Sequence, residues 1–201
     1  VPFESMPQVD SFILGLTEQC NLRCTYCCYS GNYTNKRSHN TVTMSADDID
    51  DILAFIDSFT RKRPIKIFLY GGEPLLKYDI VQYTYKKARE LFENNVSFTI
   101  STNGTTLSKE KIDWLVSNSI TLALSIDGSE SYHDNYRVDA QGNGSYARVY
   151  DALKYIKRTY PEYAKEMSLI MTLASFDKIV EIAEAWHNDE VLRDWAPTMM
   201  N

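Results

Sequence analysis

Cys20, Cys24 and Cys27 stand in the run Cys20-Asn21-Leu22-Arg23-Cys24-Thr25-Tyr26-Cys27, with three and then two residues between the thiols. No fourth thiol follows at a ligand spacing. A structural zinc site closes with four protein ligands, and a ferredoxin-type cluster takes four cysteines. Three thiolates on a four-iron cluster leave one iron open, and an open iron can bind a substrate or cofactor. The spacing therefore points to a catalytic cluster ahead of an electron relay or a staple. Three reduced buried thiols, or zinc completed by a distant histidine, are the competing readings. The histidines are His39, His133 and His187, and none has paired zinc spacing with the cysteines. Cys28 directly follows Cys27 and reads as a small buried apolar residue whose side chain points elsewhere.

These thiols need a scaffold, and the 201 residues suffice for one substantial core. A hydrophobic content of 44% and a charged content of 24% are ordinary for a globular protein. The net charge of -6 argues against nucleic-acid binding, which favours a basic stripe. No run is long enough to span a membrane, and no signal segment opens the chain. Cysteines crowded into one loop are not a disulfide framework, so a reducing cytoplasm is expected. The chain begins at Val1 and stops at Asn201, which reads as a portion of something longer.

Strand-like and helix-like runs alternate. Residues 11–16 form a short apolar run into the cysteine loop. A helix is expected over 45–59, with Ser45 and Asp48 as an acidic capping box and Ile49, Ile52, Leu53 and Ile56 on one face. A strand over 65–70 runs into Gly71-Gly72-Glu73-Pro74. A helix over 79–93 aligns Ile80, Thr84, Ala88 and Leu91. A strand over 96–101 ends in Thr102-Asn103-Gly104, and Ser108 caps a helix to 117 with Ile112, Leu115 and Val116 inward. A strand over 120–126 ends in Asp127-Gly128, and a long polar loop runs to about Asn143. A helix over 145–158 carries Val149, Leu153 and Ile156. A fifth strand over 168–173 and a helix over 177–187, with Ile179, Ile182, Ala183 and Trp186 on one side, complete the count.

Five strand–helix units in alternation predict an α/β fold with a parallel sheet, its strands apolar on both faces. A closed eight-fold barrel needs about 250 residues, so an open, partial barrel in one domain spanning residues 1–201 is the better fit. Every distinctive loop follows the C-terminal end of a strand, where parallel α/β folds build their sites. In the long loop from Thr17 to Met44, Lys36, Arg37 and His39 could face an acidic partner, although a solvated loop is the plainer reading. The Gly71-Gly72 pair lets the backbone approach a ligand or take positive φ. Ser125 at a strand end can hydrogen-bond a ribose or carboxylate. Arg137 offers a planar fork for a carboxylate, or a surface salt bridge with Asp134 or Asp139. His133 reads as a hydrogen-bonding loop residue.

The cysteine run, with an aromatic Tyr26 just before the third cysteine, resembles the cluster motif of the radical S-adenosylmethionine (radical SAM) enzymes. Gly71-Gly72-Glu73-Pro74 resembles that family's GGE motif, and Ser101-Thr102-Asn103-Gly104 resembles a tetrapeptide that lines the cavity near the cofactor. The stretch from Leu124-Ser125-Ile126-Asp127-Gly128 through His133-Asp134-Asn135-Tyr136-Arg137 to Tyr146 resembles the peptide- and protein-modifying subfamily, which includes anaerobic sulfatase maturases and maturases of ribosomal peptides. The likeness covers about Phe12 to Leu173.

The resemblance implies a partial six-unit (β/α)6 TIM-like barrel, here cut short near its sixth strand. It implies a 4Fe-4S cluster on Cys20, Cys24 and Cys27. It further implies S-adenosylmethionine held by Gly71, Gly72, Glu73, Ser125 and Arg137, with the Tyr26 backbone against the adenine. The implied activity is reductive cleavage of S-adenosylmethionine and hydrogen abstraction from a peptide side chain, giving a thioether or other crosslink. Formylglycine formation on a sulfatase is the alternative, and Tyr70, where sulfatase maturases often carry Gln, weakens it. A non-catalytic metal or iron–sulfur module is the alternative of another class. Implied partners are a peptide or protein substrate and a low-potential electron donor such as flavodoxin or ferredoxin. The cysteine-rich C-terminal extension of the subfamily has no counterpart here, and no proton-accepting residue is identified.

Overall fold

The structure, a computed structural model, describes residues 9–31, 33–34, 38–60 and 63–200. Lys36 and Arg37 of the long loop lie outside the described residues. Among them, six strands form one parallel sheet in chain order: β1 (Ser11–Thr17), β2 (Ile65–Gly71), β3 (Val96–Thr102), β4 (Ile120–Ser125), β5 (Ser168–Thr172) and β6 (Thr198–Met200). The first and last strands do not meet, so the sheet is open. The helices between them are α1 (Ala46–Thr60), α2 (Tyr78–Phe92), α3 (Lys109–Ser117), α4 (Glu130–Tyr136), α5 (Tyr146–Thr159), α6 (Pro161–Glu166) and α7 (Ile179–Asn188).

Strand alternation explains where the core sits. Leu14 and Leu16, Ile65, Ile67 and Leu69, Val96, Phe98 and Ile100, Ile120, Leu122 and Leu124, and Leu169 and Met171 project to one side and are buried. The helices cover that side, with Ile49, Leu53 and Ile56 of α1 and Val149, Leu153 and Ile156 of α5 inside. Full burial of such a side chain stabilises by about 1.5–3 kcal/mol. The Ser45–Asp48 capping box closes as its sequence predicts. The Ser45 N–H and Oγ–H both donate to the Asp48 carboxylate at 2.7 Å, and the Asp48 N–H returns to Ser45 Oγ at 3.2 Å.

The opposite face of the sheet departs from the expected apolar composition. Lys66, Ser97, Thr99, Ser101, Thr121, Ser125, Ser168 and Thr172 line it, interspersed with Ile13, Phe68, Tyr70 and Ile170. Among the described residues no helix covers this side, and hydroxyl side chains stand where a second apolar row was expected. Three helix readings also change. In α2 the buried stripe is Val81, Thr84, Ala88 and Phe92, and Ile80 and Leu91 flank it. In α7 only Ile182 and Trp186 are buried, while Ile179, Val180 and Ala183 face outward. Within the expected polar loop, α4 forms because Ser129 caps it and because Tyr132 and His133 turn inward. The short β6 adds a sixth strand beside β5. No helix among the described residues is long and apolar enough to cross a membrane.

Candidate functional site

The loops after β1, β2, β3 and β4, with the end of β5, meet in one cavity around the cysteine run. Its stem is fixed by the glycine pair after β2. The Gly72 N–H donates to Thr17 O at 2.8 Å and the Glu73 N–H to Gln19 O at 2.7 Å. A Cβ on Gly71, whose φ is +147°, would meet Thr17 O at 2.3 Å, and one on Gly72 would meet Gln19 O at 2.3 Å. The pair is glycine because the chain entering Cys20 passes directly over it. On its other side the run lies along residues 136–139, with Arg23 N–H to Val138 O at 2.6 Å and Thr25 N–H to Tyr136 O at 3.1 Å.

Cys20, Cys24 and Cys27 line one cavity of about 390 Å3 together with Tyr26, Gly71, Gly72, Asn103, Ser125, Arg137 and Thr172. Three amides point at two of the sulfurs. Leu22 N–H donates to Cys20 Sγ at 3.4 Å, Asn103 Nδ2–H to Cys20 Sγ at 3.7 Å, and Tyr29 N–H to Cys27 Sγ at 3.4 Å. Burial pushes all three thiols up, Cys24 to about 12, against the pull of Arg137 on Cys24 and Cys27. Among the described residues, no three Cys, His, Asp or Glu side chains are gathered closely enough to clasp a single metal ion.

Arg137 has a different partner from those the sequence offers. Its Nε and Nη2 donate to Asp127 at 2.7 and 3.1 Å, a bidentate pair in which Asp127 is fully buried and Arg137 nearly so. The Asp127 carboxylate also accepts the Tyr26 hydroxyl and, at 2.9 Å, the Thr172 N–H. One carboxylate thus ties together the cysteine loop, the end of β5 and the residue after α4. Asp134 instead accepts the Ser145 and Tyr146 N–H groups at 2.8 Å and caps α5, and Asp139 closes its own turn through Asn143. His133 supports the pair from behind. Its Nδ1 accepts the Asp127 N–H at 3.1 Å and its Nε2 meets Ser145 Oγ at 2.9 Å, and burial lowers its pKa to about 4.

Glu73 faces inward, away from the cavity. Its wholly buried carboxylate accepts Leu75 N–H at 3.0 Å, Thr102 Oγ–H at 2.7 Å and Asn103 N–H at 2.7 Å. Burial raises its pKa, against the pull of these donors and of Lys111. The Tyr26 carbonyl accepts the Tyr33 hydroxyl at 2.8 Å. Cys28 is a correction: it is exposed and lines the same cavity. The turn after Tyr26 swings it outward instead of into the core. His39 joins the cavity wall, stacked on Tyr29 at 5.9 Å. Asp127, Asn103 and Thr172 carried no individual role in the sequence reading. The signal for the first two was their place immediately after a predicted strand.

Residues 14–186 match the Radical SAM superfamily. The cysteine-type anaerobic sulfatase-maturating enzyme of Clostridium novyi (strain NT) is 29% identical over 79% of this chain and 43% of its own length. The serine-type anaerobic sulfatase-maturating enzyme of Bacteroides thetaiotaomicron is 30% identical over 69% of this chain and 34% of its own. The chain thus matches less than half the length of these curated relatives. The solved structure of native anSMEcpe with bound AdoMet and Cp18Cys peptide superposes with a TM-score of 0.75 over 92% of this chain and 49% of that one, at 20% identity, and so shares the fold. With its match across both the cysteine run and the sheet, the chain belongs to the radical SAM superfamily, whose enzymes work with a 4Fe-4S cluster and S-adenosylmethionine.

Proposed function

We propose that the chain is the core of a radical SAM enzyme acting on a peptide or protein side chain. The observation that carries this reading is one cavity walled by three thiols, two strand-end glycines and an arginine already oriented by a buried carboxylate. These residues fit the cofactors. The three thiols line one cavity, where together they could hold an iron–sulfur cube with one iron left open. Their raised pKa values keep them protonated until a metal takes the protons' place. Held on these three thiols, a reduced cluster would supply the electron for reductive cleavage of S-adenosylmethionine.

The chain's own residues bind and orient. Cys20, Cys24 and Cys27 hold the cluster. Gly71, Gly72 and Ser125 bring backbone and a hydroxyl to the cavity wall for the methionine and ribose groups. Glu73 holds the β2 and β3 ends together from behind, and so positions that wall. Arg137 spends two donors on Asp127, which leaves Nη1 without a partner among the described residues for an anionic group in the cavity. The Tyr26 side chain packs beneath that guanidinium, 5.4 Å from ring centroid to Cζ.

The substrate side rests on the curated relatives named as sulfatase-maturating enzymes. Their names favour formylglycine formation, whereas Tyr70 and the subfamily resemblance leave thioether or other crosslinking of a ribosomal peptide as our first reading. A cytoplasmic setting and a flavodoxin- or ferredoxin-like donor belong to the same proposal. The test is anaerobic reconstitution, iron and sulfide analysis, and incubation of the reduced protein with S-adenosylmethionine and Cys- or Ser-containing peptides. Iron with 5′-deoxyadenosine release is expected. With a Cys peptide, mass then separates loss of two hydrogens in a crosslink from exchange of sulfur for a carbonyl oxygen; with a Ser peptide both products lose two hydrogens, and reaction with a hydrazine identifies the aldehyde. Stoichiometric zinc without iron uptake would refute the assignment.

A further inference from the structure

Asn103 is the one side chain outside the cysteine run that directs a donor at a cluster-ligand sulfur among the described residues. Its amide cannot turn over. Oδ1 accepts the Thr105 N–H at 3.0 Å and the Thr105 Oγ–H at 2.7 Å. Thr105 Oγ itself accepts Asn21 Nδ2 at 2.7 Å, so its own proton is free to point at Asn103. The oxygen end is therefore claimed by two donors, and the NH2 end faces Asn21 Oδ1 at 3.0 Å and Cys20 Sγ at 3.7 Å. The backbone is held as firmly. The Asn103 N–H donates to the buried Glu73 carboxylate, and the Thr102 hydroxyl donates to its other oxygen. Asn103 is 8% exposed, so water does not compete freely for the contact.

We infer that Asn103 is a tuning residue: its fixed NH2 group donates to the Cys20 sulfur and raises the reduction potential of the group that Cys20 holds. An added electron increases the negative charge on the ligating sulfurs, and a donor pointing at one of them stabilises the reduced form more than the oxidised form. The neighbouring Leu22 N–H acts in the same sense, but it is backbone and common to any side chain. The Glu73 carboxylate gains a second role, since it sets the position of the strand end that carries this donor. This inference rests on the cluster assignment above.

The experiment is a redox titration of the anaerobically reconstituted chain, followed by the spin signal of the reduced cluster, for the parent, Asn103→Asp and Asn103→Ala. Asn103→Asp keeps an oxygen for Thr105 and replaces the donor with an acceptor, so it separates tuning from loop support. Both variants should load iron and show a lower potential, with the aspartate shifted further. At fixed poise about three- to tenfold less cluster should be reduced, where a tenfold change corresponds to about 59 mV for one electron. Equal potentials in loaded variants would overturn the inference, as would folded variants that both fail to hold iron, which would make Asn103 a loop support only. If Asn103→Ala alone loses iron, the potential of Asn103→Asp decides. Failure of the parent to assemble a cluster would refute the cluster assignment itself.

Discussion

Breaking the Asp127–Arg137 pair from each side in turn tests whether this contact anchors the cysteine loop. Asp127 is fully buried and accepts four donors, two from Arg137, one from Tyr26 and one from the Thr172 amide. Asp127→Ala leaves a nearly buried guanidinium without its counterion, a change that costs about 3–5 kcal/mol. The stranded Tyr26 and Thr172 donors push it to the upper end of that range. Arg137→Ala leaves the carboxylate with two neutral donors, so about 3 kcal/mol is expected. The double variant strands no charge. It should cost about 5 kcal/mol, no more than Asp127→Ala alone, against about 8 kcal/mol for the summed single losses, a coupling of about 3 kcal/mol. The assay is urea unfolding of the reduced, metal-free chain, read by far-ultraviolet circular dichroism. Asp127→Asn, which keeps an acceptor for the Thr172 amide, serves if the alanine variant does not fold. Losses that add to within about 0.5 kcal/mol would refute the coupling and with it the anchoring role.

Other consequences are as direct. Arg137→Ala should also weaken S-adenosylmethionine binding to the reconstituted protein by about ten- to hundredfold, the loss of a charge-assisted bond of roughly 1.5–3 kcal/mol; unchanged affinity by calorimetry would remove Arg137 from the site. His133 stays neutral in the fold down to about pH 4, whereas an unfolded histidine takes up its proton near pH 6.5. Its contribution is complete above about pH 6.5 and is lost as pH falls toward 4, at most about 3 kcal/mol in all; His133→Asn should flatten that acid limb relative to the parent in unfolding curves at pH 7 and pH 5. Gly72→Ala drives a methyl into Gln19 O, so the loop stem must shift, and reconstituted iron content should drop while circular dichroism stays native. Cys28→Ala should keep its iron and Cys24→Ala should lose it, which iron analysis decides.

The alternation of strands and helices was legible because each buried stripe repeats along the chain. Val149, Leu153 and Ile156 announce α5, and Ile65, Ile67 and Leu69 announce β2. The open face was not legible. Ser97, Thr99 and Ser101 look like ordinary strand-compatible residues, and nothing local says that no helix will cover them. Helix α4 escaped because seven residues with two buried side chains leave no period to detect. At the site, the three thiols and the glycine pair were readable from type and spacing. Partner choice was not: Asp127, Asp134 and Asp139 all lie close to Arg137 in sequence, and only the path of the chain after β4 selects Asp127. Glu73 was visible as a residue, but which way its carboxylate faces depends on the β3 end, 29 positions away.

Apart from Arg137 after α4 and His39 farther along the first loop, the cavity wall hangs from strand ends on one rim: the run after β1, Gly71 closing β2, Asn103 past β3, Ser125 closing β4 and Thr172 closing β5. Strand register is therefore a shared ruler. A slip of one residue would carry a group about 3.3 Å along its strand and turn it to the other face. The opposite rim carries no such burden. Its turn at Glu93–Asn95 is exposed and lies a full strand length from the thiols. That rim is where an inserted tag, a tether to a surface or a fused carrier domain can be accommodated without the cavity registering it.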